Sequence, residues 1–108
     1  MEGKMMKQEF EVTKNVNEEV TKFIVKGQVN SINAPELEYE LEDALNAGQV
    51  NIVLNMTQVE YLSSIGVRVI LKFYKKAKEA GGKLNIERPS EIVKNVLGTA
   101  ALYDMLLK

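Results

Sequence analysis

The chain has 108 residues, with 14 Lys and Arg against 15 Asp and Glu, so its formal net charge is −1. This length suggests one domain, and an apolar content of 45% can build a core without metals or disulfides. Cysteine and histidine are absent, which excludes thiol nucleophiles, disulfides, imidazole bases and the usual zinc ligands. The near-neutral charge argues against a general nucleic-acid-binding surface.

No stretch approaches the ~20 apolar residues that a membrane-spanning helix needs, and residues 1–10 alternate charged and apolar side chains. We therefore expect no membrane association and a cytoplasmic location. The sequence contains no linker, low-complexity tract or repeat at a fixed period, so one continuous domain over residues 1–108 is expected.

The first two predicted elements form a β-hairpin. Phe10, Val12 and Val16 indicate a first strand and Val20–Val25 a second, with asparagines and two glutamates supplying the turn between them. Gly27 is expected to end the second strand.

A helix is predicted next, because Asn33-Ala34-Pro35-Glu36 offers a capping side chain, an early proline and a glutamate at the third helical position. Gly48 can close this helix in a left-handed turn. Five acidic residues fall within residues 36–43, so one face is strongly negative. The apolar face consists of Ala34, Leu37, Leu41, Ala44 and Leu45.

In residues 50–56, apolar and polar side chains partly alternate within a nearly continuous apolar run, which predicts a central strand largely covered on both sides. The polar segment 57–64 is expected to connect this strand to a second helix, which Gly81-Gly82 stops. The apolar residues predicted for that helix are Val67, Val69, Ile70, Leu71, Phe73, Tyr74, Ala77 and Ala80.

Leu84-Asn85-Ile86 predicts a short strand, and Pro89-Ser90-Glu91 begins a third helix that Gly98 should end. Residues 102–106 are too short to classify from the pattern alone, which favours a last helical turn against the sheet over a strand. The third helix is expected to direct Ile92, Val93, Val96 and Leu97 inward. The order β-β-α-β-α-β-α predicts an α/β fold: a mixed sheet of four or five strands, right-handed crossovers, and helices mainly on one side.

The segment Tyr61-Leu62-Ser63-Ser64-Ile65-Gly66 joins the predicted central strand to a helix start, where α/β sheets meet ligands and partners. A phosphate on a serine there would face backbone N–H groups and the positive end of the helix. Alternatively, Ser63 or Ser64 is simply an N-cap, the commonest reason for a serine at a helix start. Gly66 serves close helix packing or a tight turn.

Intrinsic catalysis has little support. The segment is not G-x-S-x-G, no histidine can complete a triad, and no phosphate-binding glycine motif occurs. Glu60 and Glu87 lack a second group at a spacing that predicts a shared site, so both are interpreted as solvated turn residues. No enzyme activity, cofactor or metal is predicted.

Five sequence blocks follow one another along the chain: Gly27-Gln28-Val29-Asn30, Ala34-Pro35-Glu36-Leu37, Ile52-Val53-Leu54-Asn55, Tyr61-Leu62-Ser63-Ser64-Ile65-Gly66-Val67 and Gly81-Gly82-Lys83-Leu84. In this order and spacing they resemble the bacterial anti-sigma-factor antagonists, which are STAS domains (sulphate transporter and anti-sigma antagonist). The resemblance covers nearly the whole chain and implies the STAS fold.

The resemblance implies that Ser64 is the phosphoacceptor, because the family turn reads Asp, Ser, a small residue and Gly. Ser63 stands where the family has aspartate, and Gln28 and Asn30 replace two family acids with amides. A phosphate on Ser64 would thus meet less repulsion, whereas a kinase whose basic groups seek those carboxylates would bind less tightly. Ile65 either contacts the partner or packs inward.

The resemblance further implies a partner-switching protein. Unphosphorylated, it would bind an anti-sigma factor that is a serine kinase and so free the sigma factor; phosphorylation would end that binding, and a serine phosphatase would reverse it. The implied partner-binding residues are Ser63, Ile65, Gly66, Tyr61, Gln28, Asn30, Ser31, Asn33 and Arg68.

Two alternatives remain. In the first alternative, the chain is a non-switching interaction module of a signalling assembly, and Ser64 is only a helix cap. In the second, it is a small anion- or nucleotide-binding domain that uses the helix N-terminus. The basic second helix and acidic first helix either attract each other as solvated faces or help to steer a partner.

Overall fold

The computed structural model describes residues 10–17, 19–99 and 102–106. The described strands are β1 (Phe10–Val16), β2 (Thr21–Val29), β3 (Asn51–Leu62) and β4 (Lys83–Glu87). The described helices are α1 (Ala34–Asn46), α2 (Ser64–Glu79), α3 (Glu91–Thr99) and the single turn α4 (Tyr103–Leu106). This confirms the predicted order of elements and the predicted last helical turn.

The four strands form one mixed sheet in the order β1-β2-β3-β4. β1 and β2 are antiparallel, as the predicted hairpin requires, whereas β2 and β3, and β3 and β4, are parallel. Asn17 closes the hairpin turn, because its side-chain oxygen accepts hydrogen bonds from the amides of Glu19 and Val20, each at 2.8 Å. Glu18, the other glutamate of the predicted turn, lies outside the described residues.

The helices cover one face of the sheet, as predicted. Along β2, fully buried Phe23 and Val25 alternate with half-buried Lys22 and Lys26. The expectation that the central strand is covered on both sides is wrong, because Val53 in β3 is only half-buried. The buried face packs against apolar side chains of the three longer helices, among them Leu37, Leu41, Ile70, Phe73, Val93 and Leu97.

Two predicted strand ends are wrong. β2 passes through Gly27 and ends at Val29, and β3 includes the polar residues 57–61 that were expected to form a connection. The register between these strands shifts between Ile24 and Lys26 and again between Gly27 and Gln28. Gly27, with φ of +91°, allows the backbone to distort between these shifts.

Glycines were predicted to end the three longer helices, and two of these three predictions are confirmed. Gly48 and Gly81 have φ of +84° and +92° just beyond α1 and α2, where a left-handed residue turns the chain. Gly98, however, lies inside α3, which continues to Thr99. Ile92 does not point inward but is 40% exposed, since Val93 and Leu97 already occupy the buried side of α3.

Glu60 and Glu87 are not turn residues. Glu60 is exposed in β3, and Glu87 lies in β4 with a carboxylate oxygen 2.9 Å from Lys22 Nζ. Lys22 belongs to β2, so this pair crosses the open face of the sheet above β3. Because both side chains are partly exposed, we assign the pair only a small contribution to stability.

Candidate functional site

The candidate site lies at the edge of the sheet where the parallel strands β2 and β3 end side by side. Val29 and Leu62 are register partners at this edge. The amide of Ser63 donates a hydrogen bond of 2.9 Å to the carbonyl oxygen of Val29, which ties the start of α2 to the end of β2. The loop 30–33 and the first turn of α2 therefore emerge from the same edge.

Ser63 is the N-cap of α2. It has extended backbone angles (φ −82°, ψ 168°), and its hydroxyl oxygen accepts a hydrogen bond of 3.1 Å from the amide of Gly66. Its carbonyl oxygen accepts the first helical bond, 3.0 Å from the amide of Val67. The capping role proposed for either serine thus belongs to Ser63, which can do here what an aspartate would do.

Ser64 is the first residue of α2 and is exposed. Among the described residues its hydroxyl group has no hydrogen-bond partner, and neither do the backbone amides of Ser64 and Ile65. These amides belong to the first turn of a helix, where no intrahelical acceptor is available. A group attached to the Ser64 oxygen would therefore find both solvent and free donors.

Gly66 is required by close packing of α2 against the sheet. A Cβ atom at this position would lie 2.8 Å from Leu62 Cδ1, 2.8 Å from Val29 Cγ1 and 3.3 Å from the Val29 carbonyl oxygen. Of the two roles expected for this glycine, close packing is the one observed. The residue sets how closely Ser64 approaches the end of β2.

The loop after β2 is held by asparagine side chains. The Asn30 side-chain oxygen accepts hydrogen bonds from the amides of Ile32 and Asn33 at 3.0 and 2.9 Å, and Asn33 Nδ2 donates to the Gln28 carbonyl oxygen at 2.8 Å. The prediction that the Asn33 side chain caps α1 is wrong, because that side chain turns back to β2. The Asn30 side chain holds the loop amides that precede α1, and Ser31 is exposed between Asn30 and Asn33.

Exposed apolar side chains occur on the segments that meet at this edge. Tyr61 is 49% exposed at the end of β3, and Ile65 is 40% exposed in the first turn of α2, which resolves its two predicted orientations in favour of solvent. Ile32 is 82% exposed in the loop. Ile32 lies within the segment 27–33 that was expected to contribute to the binding surface, but it was not named individually among the partner-binding residues.

The positive residues of α2 differ in how they are partnered. Lys72 and Lys76 form ion pairs with Glu38 and Glu42 of α1, the second at 3.2 Å, so the predicted attraction between the two helices is present. The side-chain hydrogen bond from Lys72 to Glu38 raises the pKa of Lys72 above its usual 10.5. Arg68 is exposed and has no carboxylate partner among the described residues.

Within the described ranges, no group of three or more acidic side chains is arranged to hold a metal ion. None of the helices in this part of the chain is long and apolar enough to cross a membrane. Four features distinguish the edge: an exposed hydroxyl, exposed apolar side chains, and, as far as the described residues show, backbone amides and a guanidinium without partners.

Residues 11–107 match the STAS domain family. Because this match spans most of the chain, the protein belongs to that family. BtrV of Bordetella bronchiseptica, which is named as an anti-sigma factor antagonist, is 38% identical over 60 residues. These residues are 56% of this chain and 52% of BtrV, so the match spans about half the length of that relative.

Solved structures share the fold. TM1081 from Thermotoga maritima, also named as an anti-sigma factor antagonist, has a TM-score of 0.81 at 26% identity, with 90% of this chain and 83% of TM1081 covered. The anti-sigma factor antagonist SpoIIAA in its unphosphorylated form has a TM-score of 0.78 at 17% identity, with 92% and 85% covered. SpoIIAA from Bacillus has also been solved in a phosphorylated form.

Proposed function

We propose that this protein is an anti-sigma-factor antagonist that acts by partner switching, with Ser64 as its phosphoacceptor. In the unphosphorylated form it binds an anti-sigma factor that is a serine kinase. That kinase transfers the γ-phosphoryl group of ATP to the Ser64 oxygen, ADP leaves, and the hydroxyl proton is released. The modified protein dissociates, and a serine phosphatase restores it by hydrolysis.

The observation that carries this proposal is the division of roles between two adjacent serines. Ser63 holds the helix start through its bond to the Gly66 amide, so Ser64 is not needed as a cap. The Ser64 hydroxyl is exposed at the first helical position and has no internal partner among the described residues. A kinase can therefore reach and modify it without unfolding the turn.

The surroundings of Ser64 explain why one phosphate would be enough. Ile32, Tyr61 and Ile65 form an exposed apolar rim on the segments around the hydroxyl, which suits a protein interface that excludes water. Enclosing about two negative charges in such an interface costs several kcal/mol when the partner protein supplies no cation to match them, and each 1.4 kcal/mol is a tenfold change in affinity. No large conformational change is required.

The relatives support the proposal in two ways. BtrV and TM1081 are both named as anti-sigma factor antagonists, and SpoIIAA is known with and without phosphate. In this chain the capping aspartate expected from the family is Ser63, so the charge next to the acceptor is one unit less negative. We accordingly propose a partner whose contact with this turn relies on apolar packing more than on basic groups.

The direct test uses the full chain, ATP and the anti-sigma serine kinase of the same organism. We expect mass spectrometry to find one phosphate on Ser64 and none in the Ser64→Ala variant. Ser63→Ala is the matched control, because it removes the neighbouring hydroxyl and should still be modified. Phosphate found only on Ser31 or Thr57 would contradict the proposal.

The same variants separate the proposal from a non-switching interaction module. If kinase and ATP leave the binding of both Ser64→Ala and wild type unchanged, the hypothesis of a non-switching interaction module is correct and the partner-switching proposal is wrong. Calorimetry with ATP, GTP and inorganic phosphate in the absence of kinase tests the anion-binding alternative. We expect no heat of binding at millimolar ligand.

A further inference from the structure

Arg68 and Ser64 are neighbours on the surface of α2. They are four residues apart in one helix, a spacing that places Cβ atoms roughly 5–6 Å apart on the same face. Both side chains are exposed. A long arginine side chain at this position can reach a group attached to the Ser64 oxygen.

Within the described residues the charge of Arg68 has no carboxylate partner, and the fold gives the reason. Arg68, Lys72 and Lys76 follow each other at four-residue spacing, and the two lysines pair with Glu38 and Glu42 of α1. One turn earlier in α1, the corresponding position is the buried, uncharged Ala34. The ladder of ion pairs therefore stops before it reaches Arg68.

Other acidic residues near this edge do not replace the missing partner. Glu36 lies in the first turn of α1 and Glu60 near the end of β3, and both are exposed. Neither forms an ion pair with Arg68 within the described residues. The guanidinium thus has charge and donors to offer to an incoming anion.

We propose that Arg68 binds the phosphate on Ser64 within the same molecule. This inference rests on the proposed function, since it requires a phosphate at residue 64. Phosphoserine carries about −1.5 to −2 charge and three acceptor oxygens, and the fork of guanidinium donors matches them. Phosphorylation then changes the charge of this surface in two ways. It adds an anion at residue 64, and it engages the Arg68 guanidinium, which was available to a partner protein before.

The test uses the full chain with phosphoserine incorporated at residue 64 during translation, so that no kinase is needed. We expect ³¹P NMR titration to give a lower second pKa of the phosphate in wild type than in Arg68→Gln, because a nearby cation favours the dianion. Arg68→Lys should retain part of this lowering. The Arg68 Nε–H signal should also move when residue 64 is phosphorylated.

Lys75→Gln is the matched control. It removes one positive charge from the same helix, but residue 75 is eleven positions from residue 64, or roughly 16 Å along the axis. Screening at ordinary ionic strength leaves little interaction over that distance, so its phosphate should titrate as in wild type.

Equal phosphate pKa values in wild type and Arg68→Gln would overturn the inference. The inference would also be overturned if Lys75→Gln raised the phosphate pKa as much as Arg68→Gln does, because the net charge of the protein would then explain the pKa difference. These outcomes are independent of the kinase experiment. A kinase that ignores Ser64 would contradict the proposed function without altering the titration of an incorporated phosphoserine.

Discussion

The two halves of α2 handle charge and exposure differently. In the second half, Lys72 and Lys76 are paired with glutamates of α1, and buried Phe73 and Ala77 face the core. In the first half, Ser64 and Ile65 are exposed and Arg68 has no ion-pair partner in the described part of the chain. The polar and apolar groups of the second half are engaged by the rest of the protein, whereas those of the first half remain available to another molecule.

The largest effect on stability is expected from Gly66→Ala, which breaks the contact that holds the first turn to the sheet. The added methyl group would lie 2.8 Å from side-chain atoms of Val29 and Leu62, so the helix start must move. Overpacking of this kind costs about 1–3 kcal/mol. Denaturant unfolding measures the loss.

Gly98→Ala is the control for that experiment, because a Cβ atom there meets nothing within 4 Å and the residue is helical. Alanine should be neutral or stabilise α3 by roughly 0.5–1 kcal/mol. Equal destabilisation by both substitutions would mean that the close contacts around residue 66 are not the cause of the loss.

Ile32→Ser should weaken binding of the unphosphorylated protein to the anti-sigma kinase while leaving its stability unchanged. Ile32 is 82% exposed on a loop that Asn30 holds rigid, so the loss should appear only in the complex. Losses of about 1–2 kcal/mol, or five- to thirtyfold in affinity, are usual for an apolar anchor. Isothermal titration calorimetry measures it.

The control for this prediction is Tyr39→Ser, since Tyr39 is 67% exposed on α1 and lies outside the candidate site. It should bind the kinase as wild type does. If Tyr39→Ser costs as much affinity as Ile32→Ser, the interface does not centre on the edge described above.

Ser63→Ala and Ser64→Ala should differ in stability although they are adjacent. Removal of the Ser63 hydroxyl leaves the Gly66 amide without its acceptor, which typically costs about 1 kcal/mol. Removal of the exposed Ser64 hydroxyl should change the free energy of unfolding by less than about 0.5 kcal/mol. If Ser64→Ala lowered the free energy of unfolding more than Ser63→Ala does, Ser64 and not Ser63 would be the residue that caps α2.

The smallest effect concerns the ion pairs in the second half of α2. Glu38→Gln replaces the carboxylate whose hydrogen bond and charge raise the pKa of Lys72 with a neutral amide, so that pKa should fall toward 10.5. Since the folded pKa is raised, the stabilising contribution is present below pH 10.5 and is lost as pH rises through the folded value. An NMR titration of the Lys72 side chain measures it. Glu36→Gln is the control, because Glu36 forms no ion pair with any of the described residues.

The sequence predicted the fold well wherever local chemistry decides the structure. The proline and glutamate after Asn33 marked the start of α1, Gly81 marked the end of α2, and the serine pair marked the strand-to-helix turn. The STAS resemblance agreed with these signals. Each of them depends on residues that are close in the chain.

The errors arose where tertiary pairing overrides local pattern. Residues 57–61 look like a polar connection, yet they extend β3 because β2 supplies a partner strand through two register shifts. Asn33 stands at a typical capping position, yet its side chain donates to the Gln28 carbonyl oxygen and does not cap α1. The Asn30 side chain holds the loop by accepting from the amides of Ile32 and Asn33. Ile32 was not named individually because exposure of a single loop residue is set by the fold and leaves no periodic pattern.

The most direct test of the central claim compares two forms of one chain, with serine or with phosphoserine at residue 64, in their affinity for the anti-sigma kinase. Isothermal titration calorimetry in the presence of a non-hydrolysable ATP analogue measures both without further modification. We expect the serine form to bind at least about 100-fold more tightly, which corresponds to about 2.8 kcal/mol of binding free energy. Equal affinities would show that the hydroxyl of Ser64 does not control docking.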